Sequence, residues 1–300
     1  MKLHVRSTII VAAAISFGLL AAAAARASDM ACGKPMTAEQ KAQKAIDLQA
    51  VQNTMGFHQL YGSPGGDHDK EIELIWAHKT PGVSFGENTG ILKGDIEVIK
   101  KHYGSKAGMW MGNGAGPAKM AGGSESGAPA GAPPGGAQAG GPPAGGQGGA
   151  AGGPPGGGGA EGGNFSMRTL TTPIIEVAGD GKTAKGYWYT IGWTSGVHDG
   201  KGEAQWSFER YGIDFVKEDG DWKIWHFHVY NDFDTPYEKN WVQNAIDSPR
   251  KGGVTTARPG LEQYFTPTVF HNSYDPKVDN NPLNPPPPVP YCHFEDTFSY

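Results

Sequence analysis

The chain holds only two cysteines in 300 residues, Cys32 and Cys292, so a single disulfide is the most it can form. Basic residues are not clustered: the net charge is −5, the pI is about 6.0, and Lys and Arg are scattered. That leaves no electrostatic footprint for nucleic acid and excludes it as a partner. Beyond the N-terminal segment no apolar run is long enough to span a bilayer, which excludes stable membrane insertion of the remaining chain. Glycine is plentiful at 47 residues but lacks the strict third-residue period of collagen, so a triple helix is excluded as well.

The N-terminal segment "MKLHVRSTIIVAAAISFGLLAAAAARA" puts Lys2 and Arg6 ahead of an apolar run that ends at Ala25-Arg26-Ala27. Residues 1–27 read as a cleavable signal peptide, which predicts a periplasmic or secreted protein. The rival reading is an uncleaved anchor helix. A lipoprotein is disfavoured by Asp29-Met30-Ala31 ahead of Cys32. In an oxidising compartment Cys32 and Cys292 can pair and staple the two ends together; two free thiols are the alternative, and spacing does not choose.

Residues 108–163 are almost entirely Gly, Ala, Pro and Gln. They cannot bury enough apolar area to offset the entropy of ordering, and read as a disordered insertion. Ahead of it, residues 28–107 read as helical. Thr37 and Gln40 stand at capping-box spacing before a stripe of Leu48, Val51 and Met55. Asp67 opens a second helix with Ile72, Ile75 and Trp76 inward, "GVSFG" makes a short strand, and Asp95 caps a third helix bearing Ile96, Ile99 and Tyr103. After the insertion, residues 164–247 read as four strands in an antiparallel meander, separated by Gly- and Asp-containing turns. Neither half covers its own apolar face alone, which predicts one domain interrupted by the insertion. Residues 248–300 are Pro-rich and irregular, yet they carry Tyr264, Phe265, Phe270, Tyr274, Tyr291, Phe294, Phe298 and Tyr300. That many aromatics predicts a tail wrapped over its own domain or a neighbouring subunit.

Within the last strand, "DGDWKIWHFHVYNDFDTP" spaces His226 and His228 two apart. Strand alternation puts both imidazoles on one face with Trp222, Ile224 and Tyr230, and Trp225, Phe227 and Val229 on the other. The first face is apolar at its start and polar at its end, as one wall of a pocket would be.

Helices followed by a curved sheet is the order of the cone-shaped α+β fold of nuclear transport factor 2. "DHDKEIELIW", "GILKGDIEVIKKHY", "TTPIIEVAGDGKTAKGYWY", "WSFERYGIDFVKEDGDWKIWHFHVYNDF" and the ending "PPPPVPYCHFEDTFSY" resemble the SnoaL-like polyketide cyclase branch of that superfamily. The resemblance implies three N-terminal helices on a strongly curved antiparallel sheet, around a conical cavity. It also implies cyclase, dehydratase, dehydrochlorinase or isomerase chemistry without a cofactor, on a small hydrophobic substrate, and a frequent homodimer. The family's His–Asp dyad is not matched. The place of its strand histidine holds Arg168, and the helix end that carries its aspartate reads "GFHQLYG", without a carboxylate. Arg168 can hold an anion or polarise a carbonyl, but being permanently protonated it cannot be a base.

The candidate proton handlers are therefore His226 and His228, with His58 and Tyr61 at the end of the first helix. Arg168, Asp214, Trp188 and Tyr230 are candidates for holding substrate, Asp214 facing either the cavity or solvent. Two histidines on one strand face could also chelate a metal, but no spacing supplies a third ligand among Asp214, Asp232, Glu176 and His58, and none is assigned. Three functions stay open: a cofactor-independent lyase, isomerase or cyclase; a periplasmic module that binds a small molecule without chemistry; and a surface-interaction protein that uses the insertion and the tail.

Overall fold

The computed structural model describes residues 30–63, 66–87, 90–104, 165–198, 201–247, 260–267, 274–277 and 285–300. The signal-peptide and insertion readings fall outside these residues. A two-residue hairpin, β1 (Met30–Ala31) and β2 (Lys34–Pro35), leads into helix α1 (Ala38–Tyr61). The predicted capping box is formed: Thr37 accepts from the Gln40 amide, and the Gln40 side chain accepts from the Thr37 amide. Asp67 caps α2 (His68–Ile75) by accepting from Lys70 N, and Asp95 caps α3 (Ile96–Tyr103) by accepting from Val98 N.

Between α2 and α3 lie β3 (Val83–Glu87) and β4 (Gly90–Gly94). The sheet continues with β5 (Phe165–Leu170), β6 (Ile174–Val177), β7 (Thr183–His198), β8 (Lys201–Glu218) and β9 (Asp221–Pro236). Helix α4 (Trp241–Asp247) and strand β10 (Phe265–Pro267) follow. The strand order is β10-β4-β3-β9-β8-β7-β5, with β6 also on β7. All pairs are antiparallel except β3 with β9, which run parallel. Three local expectations change. "GILKG" is strand β4, not the lead of a helix. The single strand expected across "MRTLTTPIIEV" breaks around Pro173 into β5 and β6. A short helix interrupts the region expected to be irregular after β9.

The helices pack on one face of the curved sheet, an α+β arrangement in the order the sequence predicts. Val51, Met55, Ile72, Ile75, Trp76, Ile99 and Tyr103 from the helices meet Phe85, Tyr211, Ile213, Phe215, Trp222, Ile224 and Phe227 from the sheet. Each such side chain contributes about 1.5–3 kcal/mol by leaving water. Among the described residues no helix is long and apolar enough to cross a membrane.

The alternation in β9 does not run unbroken. Phe215 pairs with Ile224 but Asp214 with His226, so Trp225 is an extra residue; a second extra residue, Asp232, falls between Asn231 and Phe233. Trp222 and Ile224 face the helices, the bulge at Trp225 shifts the phase, and Phe227 takes the inner face instead of His226. His226, His228 and Tyr230 consequently lie on the outer face. The tail covers that face: Tyr300 meets Phe298 edge to face and sits over Gly212, where a Cβ would lie 2.2 Å from its ring. The structure joins Cys32 to Cys292 in a disulfide across 260 positions of sequence, which ties the tail to the hairpin before α1.

Candidate functional site

Two buried polar centres lie on opposite faces of the sheet. The inner one begins at Glu71, which is fully buried on the apolar stripe of α2. Its Oε1 accepts from His58 Nδ1 at 2.7 Å, and its Oε2 from His68 Nδ1 at 2.9 Å. The Tyr103 hydroxyl donates at 3.1 and 3.2 Å, and Trp76 Nε1 at 3.4 Å. Burial pushes the carboxyl up, but the charge and hydrogen bond of His58, then those of His68, outweigh it and hold Glu71 at about 2. Glu71 is thus an acceptor only, and both imidazoles give it their Nδ1 hydrogens. His58 turns its Nε2 away from Glu71, with no hydrogen-bond partner for that nitrogen among the described residues. The ring sits 4.8 Å from Phe227 and 6.1 Å from Tyr211, between centroids.

The sheet extends this centre. Glu209 on β8 shares the inner face with Tyr211, Ile213 and Phe215, and it accepts from Arg168 Nε and Nη2, both at 3.3 Å. Tyr211 donates to Glu209 Oε2 at 3.3 Å, Ser207 to Oε1 at 3.2 Å, and Arg168 Nη1 reaches Ser166 at 2.8 Å. Burial raises the Glu209 carboxyl, and Arg168 more than reverses that. Burial, and then the neighbouring carboxylates, push the Tyr103 and Tyr211 phenols up, so both stay protonated donors at neutral pH. Among the described residues this side of the sheet therefore offers the His58 Nε2, two phenols and an arginine paired with its own carboxylate.

The outer centre is built on Asp214, which is fully buried. Asp214 accepts from Lys185 Nζ at 2.6 Å, His226 Nδ1 at 2.8 Å, Ser299 Oγ at 2.8 Å and the Tyr300 amide at 3.0 Å. Lys185 lies 4.5 Å from the ring centre of Phe294, 4.9 Å from Phe298 and 5.3 Å from Tyr300. Burial lowers the lysine and Asp214 partly restores it. His228 stacks on Tyr230 and lies against Gly86.

These positions sort the sequence candidates. His58 and Arg168 come to the cone interior. His226, His228, Asp214 and Tyr230 do not: Asp214, His226 and Tyr230 meet the tail, so Asp214 faces neither cavity nor solvent, and His228 lies beside Gly86 and Tyr230. Trp188 is inner-face core, edge-on to Phe215. Tyr61 stacks on Phe57 at the outer end of α1, away from Glu71's donors. Sequence reasoning missed Glu71 and Glu209, each a carboxylate set in an otherwise apolar row; that anomaly was the signal available.

Residues 152–228 match the family model described as "SnoaL-like domain". Over that segment the chain is similar to the SnoaL-like family. The match takes in β5 to β8 and β9 as far as His228. Similar solved structures include a type 2 hexachlorocyclohexane dehydrochlorinase, LinA, at 10% identity, covering 67% of this chain and 95% of that one with a TM-score of 0.41. Others are a putative scytalone dehydratase from Novosphingobium aromaticivorans (8%, 67% and 94%, 0.40) and a nuclear transport factor 2-like superfamily protein from Salmonella enterica (12%, 66% and 99%, 0.38). At such identities and scores nothing about activity carries over to this chain. No curated protein matches the sequence.

Proposed function

We propose that the SnoaL-like domain moves a proton on a small hydrophobic, flat substrate in the cone interior, as a lyase, isomerase or cyclase. His58 Nε2 is the base, Glu71 orients it, and the Tyr103 and Tyr211 phenols are the nearest donors for charge developing on the substrate. The observation that carries the reading is the 2.7 Å bond from His58 Nδ1 to a fully buried carboxylate. It makes Nε2 the basic nitrogen and stabilises the imidazolium once a proton is taken. The pair does the work of a His–Asp dyad with both members on helices. We place the protein in the periplasm or outside the cell, on the strength of its N-terminal segment.

A second reading, a binding module without chemistry, is favoured by the Arg168–Glu209 pair, in which a buried carboxylate closes off the arginine. One series separates the two. Small planar apolar compounds are screened by thermal shift on the oxidised protein, and hits are followed for solvent-deuterium incorporation. The acid–base reading predicts exchange that His58→Ala abolishes while the fold is kept. Hits that bind without exchange support the binding module, and exchange undiminished in His58→Ala refutes the role of His58.

A further inference from the structure

The disulfide has a third neighbour. His293 Nε2 lies 3.2 Å from Cys292 Sγ, and this nitrogen and both sulfurs fall within 4.8 Å of one another. The other ring nitrogen, Nδ1, is 3.2 Å from Asp180 Oδ2. Asp180 is itself fixed in the turn before β7, where its Oδ1 accepts from the Lys182 amide at 3.0 Å. Asp180 thus fixes the ring with Nε2 turned toward Cys292. A carboxylate–imidazole pair aimed at sulfur is the arrangement that surrounds a thiophilic cation.

We propose that Cys32, Cys292 and His293 form a zinc-class metal site when the disulfide is reduced, with Asp180 positioning the histidine. A dithiol opens the bond: the reductant becomes a disulfide, and Cys32 and Cys292 each gain one proton. The divalent cation then displaces both protons and takes two thiolates and Nε2, with water as the fourth ligand. The sulfurs must part to about 3.8 Å for tetrahedral bonds near 2.3 Å. Cys32 supplies that movement, since it sits at the exposed tip of the β1–β2 hairpin. Cys292 and His293 stay in place, because Asp180 N donates to Cys292 O at 3.2 Å, Gly179 N to Tyr291 O at 2.9 Å, and His293 N to Asp296 Oδ2 at 2.8 Å. Metal and disulfide are then alternative clasps between the hairpin and the tail, on the far side of the sheet from His58.

The test titrates cobalt(II) into full-length protein that has been reduced with dithiothreitol and desalted without oxygen. Reduced protein is expected to bind one equivalent with thiolate-to-cobalt charge-transfer bands, which zinc(II) then bleaches; oxidised protein shows none. Cys32→Ser removes the bands, and His293→Ala weakens binding by about tenfold or more. Absence of bands in reduced protein overturns the proposal. So does an affinity in His293→Ala that falls by less than about tenfold, because two thiols of an unfolded chain would bind without the imidazole.

Discussion

Glu71→Gln tests how the inner centre is held. The carboxylate is fully buried and accepts from His58, His68, Tyr103 and Trp76, all donors. A glutamine puts an NH2 group against one of those donors and removes the charge. Glu71 is held at about 2 instead of 4.5, so its ionisation stabilises the fold by about 3 kcal/mol at neutral pH. The folded pKa lies below the unfolded one. The contribution is therefore whole above pH 4.5 and is lost as pH falls from there toward 2. Denaturant unfolding of wild type and Glu71→Gln, followed by tryptophan fluorescence, should show a gap of about 3 kcal/mol at pH 7 that shrinks to about half by pH 3. A gap under about 1 kcal/mol at pH 7, or one that does not change with pH, would refute the reasoning: Glu71 would not be an ionised hub.

The outer centre predicts an asymmetry. Asp214→Asn strands a buried ammonium and should cost about 3–5 kcal/mol, whereas Lys185→Met leaves Asp214 three other donors and fills the aromatic cage, so its cost in the same assay should be clearly smaller. Gly212→Ala would place a Cβ 2.2 Å from the Tyr300 ring; limited proteolysis should then cut within residues 285–300 earlier than in wild type, with the remainder of the domain intact. Replacing Cys32 and Cys292 together by serine should lower stability by up to about 5 kcal/mol on the chain-entropy model, read from the denaturation midpoint in oxidising buffer.

The helices were legible because each carries its own start signal and stripe: Thr37 with Gln40, Asp67 before Ile72 and Ile75, Asp95 before Ile99 and Tyr103. The face of β9 was not. One extra residue at Trp225 inverts the strand from His226 to Asn231, and no glycine or proline marks the bulge; among so many aromatics either phase looks apolar. The outer centre could not be read locally at all, since Asp214 meets Ser299 and Tyr300 from 85 and 86 positions away. The tail's aromatics did announce burial, and its seat proves to be the sheet's own outer face. Arg168 was placed in the interior by resemblance, but its partner Glu209 was hidden by the habit of reading an alternating strand for its apolar members only.

The most direct measurement is the tautomer of His58 in the folded, oxidised protein at neutral pH, by nitrogen-15 long-range correlation NMR, assigned with His58→Gln. The account predicts a hydrogen on Nδ1, bonded to Glu71, and a shift of the Nε2 signal when a thermal-shift hit is added. A neutral ring with its hydrogen on Nε2 would contradict it, because the nitrogen assigned as the base would have no lone pair to use.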